Sequence, residues 1–494
     1  MQRPKIKHGC YLNGAPVHGR GGSLAVTAPW RGEVIETISS ASVGDVSQAV
    51  LAAESGWRTW QDEPTSKRIR FLTAFAALLD EHAQELAELQ VRENGKLMKE
   101  MLGQAMQFGD HLRYYASLLR MPSGYVVEPP IGMMRVHTEP VPLGVVACLT
   151  PWNSPLNLLL WKLGPAIAAG NAVVIKPSEL TPLSTLRLAE LASQAGLPPG
   201  VLNVVTGDRT IGQALVEHPL VAKVAFTGSS QAGEAVAIAA ARGLRRVSLE
   251  LGGKSANIVF ADADIEQAVR GAVAGAFGAS GQTCMAGSRI LVESSIYDEV
   301  LRQLAIAADA IRIGSPFDPL SDMGSVASTA QYHKIETMVK QAVAAGACVV
   351  AGGRREYVPA LPAGLFYRPT VLTNIAVDAH IFQEEVFGPV ACVLPFANEH
   401  EAIRLANATR YGLAAGVWTQ NRARSDRVAS CLRAGTVWVN NYRKVAFNVP
   451  FGGMGMSGLG RENGPDCLAD YCERKAVWVD LGLGVRDPFD PRAS

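Results

Sequence analysis

Cys284 stands in the run Phe277-Gly-Ala-Ser-Gly-Gln-Thr-Cys284-Met-Ala-Gly-Ser-Arg289, among small and mostly uncharged residues. Small neighbours leave room for a reactant to reach the sulfur. A thiol is a strong nucleophile near neutral pH once something lowers its pKa or takes its proton. A free cysteine also serves as a small buried hydrophobe, so the thiol alone decides nothing. Two further residues have the types that would complete a site. Asn153, after Pro151-Trp152, could donate its amide to the oxyanion of an attacked carbonyl. Glu250 lies between Leu249 and Leu251 just before Gly252-Gly253, a poor place for an idle charge. A carboxylate there could take a proton from water. Thiol, amide and carboxylate together suit oxidation of an aldehyde: the thiol adds to the carbonyl, the tetrahedral adduct expels hydride, and a hydrolysable thioester remains. The structural alternatives are that Asn153 caps a helix opening at Pro155 and that Glu250 is a solvated strand end.

Three further segments read as strand ends with ligand-binding chemistry. Ile175-Lys176-Pro-Ser178-Glu179 sets a cation and an acid just past a strand. Such an acid can hydrogen-bond ribose hydroxyls, and the lysine can do the same or meet a phosphate. Phe226-Thr227-Gly228-Ser229, with Gly233 opening the next helix, reads as a strand, a tight turn and a helix N-terminus, which suits a pyrophosphate. Val205-Thr-Gly207 ends another strand. Each could be a mere capped turn, but three at successive strand ends of one sheet favour a nucleotide. Two tempting motifs fail. Gly453-Met-Gly-Met-Ser-Gly458 has dinucleotide-fingerprint spacing without a strand before it or a helix after it, so it reads as a loop. Gly252-Gly-Lys-Ser255 lacks the first glycine of a phosphate loop, because Ser248 stands there.

The elements that would position these residues follow from the apolar rhythm. Residues 1 to about 50 read as irregular strands and turns, and 47–119 as helical, with Phe71, Phe75, Leu78 and Leu79 at helical spacing. From 143 to 251 short buried strands alternate with helices, one of them starting at Thr181 as N-cap. That alternation predicts a parallel sheet covered on both faces, with ligands at the carboxyl ends of its strands. A second α/β series runs from Ala256 to Asn440, with the join near Gly252-Gly253. The expected division is a dinucleotide-binding domain over 1–123 and 145–253 and a catalytic domain over 254–450. An oligomerisation element and tail take 124–144 and 451–494. Alternation near 135 and again at 476–480 suggests that copies pair through sheet edges, as a homodimer or homotetramer.

The 494 residues are 48% hydrophobic and 18% charged, with net charge +1. That balance argues against nucleic acid or an anionic membrane as the main partner, since both need concentrated basic surface. The eight cysteines show no C-x-x-C spacing, so no metal site and no disulfide framework is expected. A reducing, cytoplasmic setting fits. The basic N-terminal segment, residues 1–7, has no apolar core after it and does not read as a secretory signal. The uncharged stretch 140–161 is broken by three prolines and two asparagines, and so reads as strand, turn and helix rather than a membrane span.

Seven ordered motifs resemble the aldehyde dehydrogenase superfamily over nearly the whole chain: Pro151-Trp-Asn153, Lys176-Pro-Ser-Glu179, Phe226-Thr-Gly-Ser229, Glu250-Leu-Gly-Gly-Lys-Ser255, Gly281-Gln-Thr-Cys284, Glu384-Glu-Val-Phe-Gly-Pro389 and Pro450-Phe-Gly-Gly453. The resemblance implies an aldehyde dehydrogenase-like α/β fold: a Rossmann-type cofactor domain, an α/β catalytic domain and a small β oligomerisation element. It implies Cys284 as nucleophile and Glu250 as general base, with Asn153 and the Cys284 backbone N–H as oxyanion hole. Lys162 and Glu473 would form a proton-relay pair. NAD is the implied cofactor, with NADP the alternative. Lys176 and Glu179 would hold its ribose, Gly228, Ser229 and Gly233 its pyrophosphate, and Glu385 and Phe387 the nicotinamide end. Trp152, Ser178, Gly207, Gly212, Phe226, Thr227, Leu251 and Gly252 complete the cofactor set.

Ser154 departs from the aromatic residue common after the Pro-Trp-Asn of that family, and Asn157 stands where apolar residues are frequent. With Trp161, Arg443 and Val445 these positions would line the substrate tunnel. They suggest a polar, anionic substrate with Arg443 or Lys444 near its far end, against the alternative that both cations are merely solvated. Two other functions compete with hydrolytic oxidation. A CoA-acylating semialdehyde dehydrogenase would typically lack the base that Glu250 supplies. A crystallin-like structural protein would tend to lose the nucleophile.

Overall fold

The computed structural model describes residues 6, 8–121, 123–130, 132–482, 484 and 489. Most of the basic N-terminal segment lies outside the described residues. The first sheet runs, in spatial order, Ala15–Val17, Cys10–Leu12, Leu202–Val205, Ala172–Lys176, Val145–Leu149, Val221–Thr227, Arg246–Glu250 and Gly458–Leu459. Its five inner strands are parallel and almost wholly buried, as expected for strands covered on both faces. The edges are antiparallel. Cys10–Leu12 joins beside Leu202–Val205, and Gly458–Leu459 pairs with Leu249 and Glu250. The glycine-rich loop 453–458 therefore ends in a strand that locks the far side of Glu250.

The helix Pro155–Ala169 follows the central strand Val145–Leu149. Pro155 opens it, where a missing N–H costs nothing, and Gly170 ends it at φ 99°. Nearly every residue of this helix is buried, because it lies between the sheet and the helices Thr65–Glu81 and Phe108–Leu118. Trp60, Phe75 and Tyr115 fill that layer. The turn 150–154 is thus fixed at the carboxyl end of the sheet by a rigid strand and a rigid helix.

Thr181 is not the N-cap of the next helix. That helix is Leu183–Gln194, and its first free N–H groups, on Leu183 and Ser184, donate to the buried carboxylate of Glu93. A carboxylate at a helix N-terminus meets both open donors and the dipole. Burial nevertheless pushes Glu93 up to about 8. Glu93, from the helix Ala83–Asn94, takes the capping position that the local sequence assigns to Thr181.

The second sheet has the order Cys348–Ala351, Thr370–Thr373, Val390–Phe396, Arg289–Glu293, Ala256–Val259, Ala414–Trp418 and Thr436–Val439. All its pairings are parallel except the edge strand Cys348–Ala351. Gly252 and Gly253 connect the two sheets. A Cβ on Gly253 would fall 2.6 Å from the Cys284 carbonyl oxygen, so only glycine lets the crossing chain pass the cysteine loop. A third sheet joins Val126–Val127, Met134–Pro142 and Cys472–Asp480, all antiparallel.

Candidate active site

The helix Ile265–Phe277 ends just before Cys284 in an unusual turn. Ala279 and Ser280 both have φ 56°, and Gly281 follows at 66°. Left-handed backbone at non-glycine residues costs of order 1–3 kcal/mol each and persists only where neighbours impose it. Here the Ala279 N–H donates to Glu100 Oε1 at 2.8 Å and the Ser280 hydroxyl to the Gly324 carbonyl at 3.1 Å. The buried Gln282 side chain donates to Ser325 O at 3.2 Å and accepts from Ala327 N at 2.9 Å. The loop is pinned on three sides, and Cys284 at its end remains partly exposed.

Asn153 meets this loop directly. Its side-chain nitrogen donates to the Gln282 carbonyl at 3.1 Å, two residues before the thiol. That bond orients the amide, and the N-cap position of the helix opening at Pro155 belongs to Ser154 rather than Asn153. Glu250 is 3% exposed, not a solvated strand end, and among the described residues neither of its carboxyl oxygens has a hydrogen-bond partner. A Cβ on Gly452 would lie 2.7 Å from Glu250 Oε1, so glycine there keeps the carboxylate's pocket open. Burial, together with the nearby charge of Glu462, holds the Glu250 carboxyl well above its ordinary range. Burial also pushes the Cys284 thiol up to about 12, and the charges of Glu385 and Glu250 add to this. Burial thus disfavours the charged form of both groups, and the Glu250 carboxyl has no hydrogen-bond partner among the described residues.

Apolar side chains wall the thiol. Leu158, Trp161, Leu413 and Phe451 form a cluster against which Cys284, Met285 and Val445 pack, and Trp161 meets Phe451 edge-on with centroids 5.3 Å apart. Trp161 and Val445 thus share the apolar cluster that walls the sulfur. Asn157 is half-buried on the same helix as Trp161. Arg443 is held by a bond from its guanidinium to the Ala274 carbonyl at 2.8 Å, and Lys444 is exposed.

The expected relay pair needs correction. Lys162 is fully buried, but its ammonium pairs with Glu462 and donates to Thr227 Oγ1 at 2.5 Å. Glu473 is exposed on the strand Cys472–Asp480 and pairs with Arg246 at 2.5 Å. The reason is topological. The bridge between Phe451 and Glu462 folds the 451–462 loop back, bringing Glu462 under the sheet, whereas residue 473 already belongs to the outer three-stranded sheet. Glu462 acts on Glu250 through charge, so the Lys162–Glu462 pair sits behind the candidate base.

Nine of the fifteen expected cofactor residues line a crevice of about 780 Å³ at the carboxyl ends of the first sheet, and Gly207, Gly233, Leu251, Gly252, Glu385 and Phe387 lie outside its lining. Its walls include Trp152, Lys176, Ser178, Glu179, Gly212 and the turn Phe226–Ser229. Lys176 and Glu179 stand 3.9 Å apart at its rim. The Gly228 N–H donates to Glu250 O at 3.0 Å, and Ser229 caps the helix Ser230–Ala241. A Cβ on Gly233 would meet Leu251 at 2.3 Å, so this turn of helix lies hard against the strand end, leaving the N-terminus open to an anion. Gly207, at φ 149°, tightens the turn that follows Leu202–Val205.

At the other end, Glu385 Oε1 accepts the Gly253 N–H at 3.0 Å, packs against Gly252 and is raised to about 7 by burial. Phe387, at φ 56°, meets the Trp152 ring edge-on at 5.3 Å. Its left-handed turn is held by Gln331, whose amide donates to the Val386 and Phe387 carbonyls at 2.9 Å each. Open crevice, helix terminus, acid–lysine rim and aromatic end fit a dinucleotide. Gln331, Gln282 and Glu462 escaped the reading from sequence. Only Gln282 carried a signal, through its place in Gly281-Gln-Thr-Cys284.

Comparison with known proteins agrees with this geometry. Residues 17–477 match the profile of the aldehyde dehydrogenase family. The chain is 40% identical over 482 residues to a betaine aldehyde dehydrogenase of Cereibacter sphaeroides, covering 97% of this chain and 98% of that protein. It is 40% identical over 488 residues to a phenylacetaldehyde dehydrogenase of Pseudomonas fluorescens, covering 96% of each. Among solved structures, a betaine aldehyde dehydrogenase of Staphylococcus aureus in complex with NAD+ superposes with TM-score 0.96 at 37% identity, covering 97% of this chain and 96% of that one.

Proposed function

The chain belongs to the aldehyde dehydrogenase family, and on that premise we propose that it oxidises an aldehyde to the carboxylic acid with NAD. As the Cys284 sulfur adds to the aldehyde carbon its thiol proton passes to Glu250 and on to solvent, and the resulting oxyanion is met by the Asn153 amide and the Cys284 N–H. When bound, the nicotinamide supplies the acceptor for the hydride that leaves this carbon. Glu250 takes a proton from the water that attacks the thioester, releasing the acid and restoring the thiol. The leucine, tryptophan and phenylalanine wall keeps bulk water from the adduct. The buried Lys162–Glu462 pair lies behind Glu250 and acts on it through charge.

The observation that carries this reading is the buried carboxyl of Glu250, which has no hydrogen-bond partner among the described residues and lies close enough to Cys284 to interact with it electrostatically. A panel of aldehydes assayed for NADH, with and without CoA, tests it. The expected products are NADH and free acid at a rate that CoA does not change. Acyl-CoA formation with faster turnover would establish the acylating alternative, and no NADH from any aldehyde would favour the structural one.

Glu179 supports NAD over NADP, because its carboxylate would repel a 2′-phosphate that Lys176 only partly compensates. Replacing Glu179 with Gln is expected to raise kcat/KM for NADP relative to NAD by roughly five- to twenty-fold. An unchanged ratio would remove Glu179 from the discrimination.

Assembly through the third sheet completes the proposal. Val126 and Trp478 expose 71% and 53% of their surface there, more apolar surface than an isolated outer sheet keeps without a partner. We read the protein as a homodimer or homotetramer. No helix among the described residues is long and apolar enough to cross a membrane. The eight cysteines are unpaired, which suits the cytoplasm.

A further inference from the structure

Lys96 has no place in the mechanism above, yet it is 2% exposed and lies within charge reach of Cys284. Its backbone N–H donates to Asn94 Oδ1 at 2.9 Å, and the Asn94 amide donates to the Trp152 carbonyl at 3.4 Å, which ties this turn to the turn that carries Asn153. The Lys96 ammonium donates to Ser154 Oγ at 3.4 Å, a long bond for a buried cation. Gln104 reaches the same hydroxyl from the surface side, also at 3.4 Å, and its Oε1 is buried without a partner. Gln104, Ser154 and Lys96 thus form a polar line running from a half-exposed residue inward, beside the oxyanion amide.

The charges along this line do not balance. Among the described residues no carboxylate lies within ion-pair distance of Lys96. Glu100 acts on it only at longer range, and one Glu100 oxygen already accepts the Ala279 N–H. Arg443 adds a second positive charge nearby. Burial lowers Lys96 to about 8, which still leaves it protonated at neutral pH. A buried ammonium without a counter-ion is costly, and ligand-binding sites are where proteins carry such a cost.

Building on the aldehyde oxidation proposed above, we infer that the substrate carries a carboxylate at the end remote from its aldehyde, held by Lys96 with Ser154 and Gln104. The substrate class is an ω-carboxy aldehyde. Lys96, rather than the Arg443 or Lys444 suggested by the sequence, is the anchoring cation, and Arg443 contributes only long-range potential.

Glutaric semialdehyde and pentanal test this, since they share chain length and differ in the distal carboxylate. The wild-type enzyme is expected to favour the semialdehyde in kcat/KM by about ten-fold or more. Lys96→Met should lower that preference by roughly twenty-fold, with the loss in KM for the semialdehyde, and Lys96→Arg should retain most of it. A merely structural lysine would shift both aldehydes alike. If Lys96→Met does not fold, the wild type decides through product inhibition: glutarate should compete with aldehyde about ten-fold more tightly than pentanoate. Preference for pentanal, an unchanged ratio in folded Lys96→Met, or equal inhibition by the two acids would overturn the inference while leaving aldehyde oxidation intact. No NADH from either aldehyde would overturn the inference, and no NADH from any aldehyde of the wider panel would sink the functional reading itself.

Discussion

Cys284→Ala is expected to lower kcat for aldehyde oxidation by about 10⁴-fold or more while NAD still binds. No other group in the site can form the covalent adduct. The neighbours Leu158, Trp161, Leu413 and Phe451 are apolar, and Asn153 and Glu250 are poor substitutes for sulfur. Alanine keeps the small volume, and the left-handed turn Ala279–Gly281 is held by Glu100, Gly324 and the Gln282 side chain rather than by the thiol. The fold and the crevice 176–229 should therefore survive. Steady-state NADH formation measures the loss, and titration of protein fluorescence with NAD measures the retention. Activity within about ten-fold of wild type would remove Cys284 from the chemistry.

Glu250→Gln is expected to slow steady-state turnover by roughly 10²- to 10³-fold while a first-turnover burst of NADH persists. The amide has nearly the shape of the carboxyl but cannot take a proton from water, so the thioester should form and then wait. The pH dependence follows from the direction of the shift. A base works only after it loses its proton, and burial beside Glu462 raises the pKa of Glu250. The wild-type rate should therefore climb with pH through a limb displaced above the ordinary carboxylate range. That limb should vanish in Glu250→Gln. Stopped-flow absorbance across pH checks both points, and a variant with neither burst nor lost limb would deny Glu250 the role.

How legible this site was depended on where each residue's chemistry is set. Cys284, Asn153 and Glu250 could be read because each sits in a short motif whose neighbours fix its local geometry: small residues before the thiol, Pro151-Trp152 before the amide, Gly252-Gly253 after the acid. The parallel sheet was readable from buried strands of about equal length alternating with helices. The turn at Ala279-Ser280 was not, since neither residue announces a left-handed backbone; tertiary bonds from Glu100 and Gly324 impose it. Glu473 is the partner that the family resemblance assigns to Lys162, and spacing along the chain does not show that a returning loop tucks Glu462 there instead. Thr181 lost its capping role to Glu93, which lies 90 residues away from Leu183. Lys96 was invisible for the same reason. Its meaning comes from Ser154, 58 residues on, and from carboxylates that do not reach it.

The account rests on a covalent acyl group carried by one sulfur. Mixing the Glu250→Gln enzyme with aldehyde and NAD, quenching in acid and mapping the peptides by mass spectrometry looks for that group directly. The predicted result is a near-stoichiometric acyl adduct on the peptide holding Cys284, formed with the NADH burst and absent when NAD is omitted. An NADH burst with Cys284 unmodified, or with the acyl group on another of the eight cysteines, would contradict it.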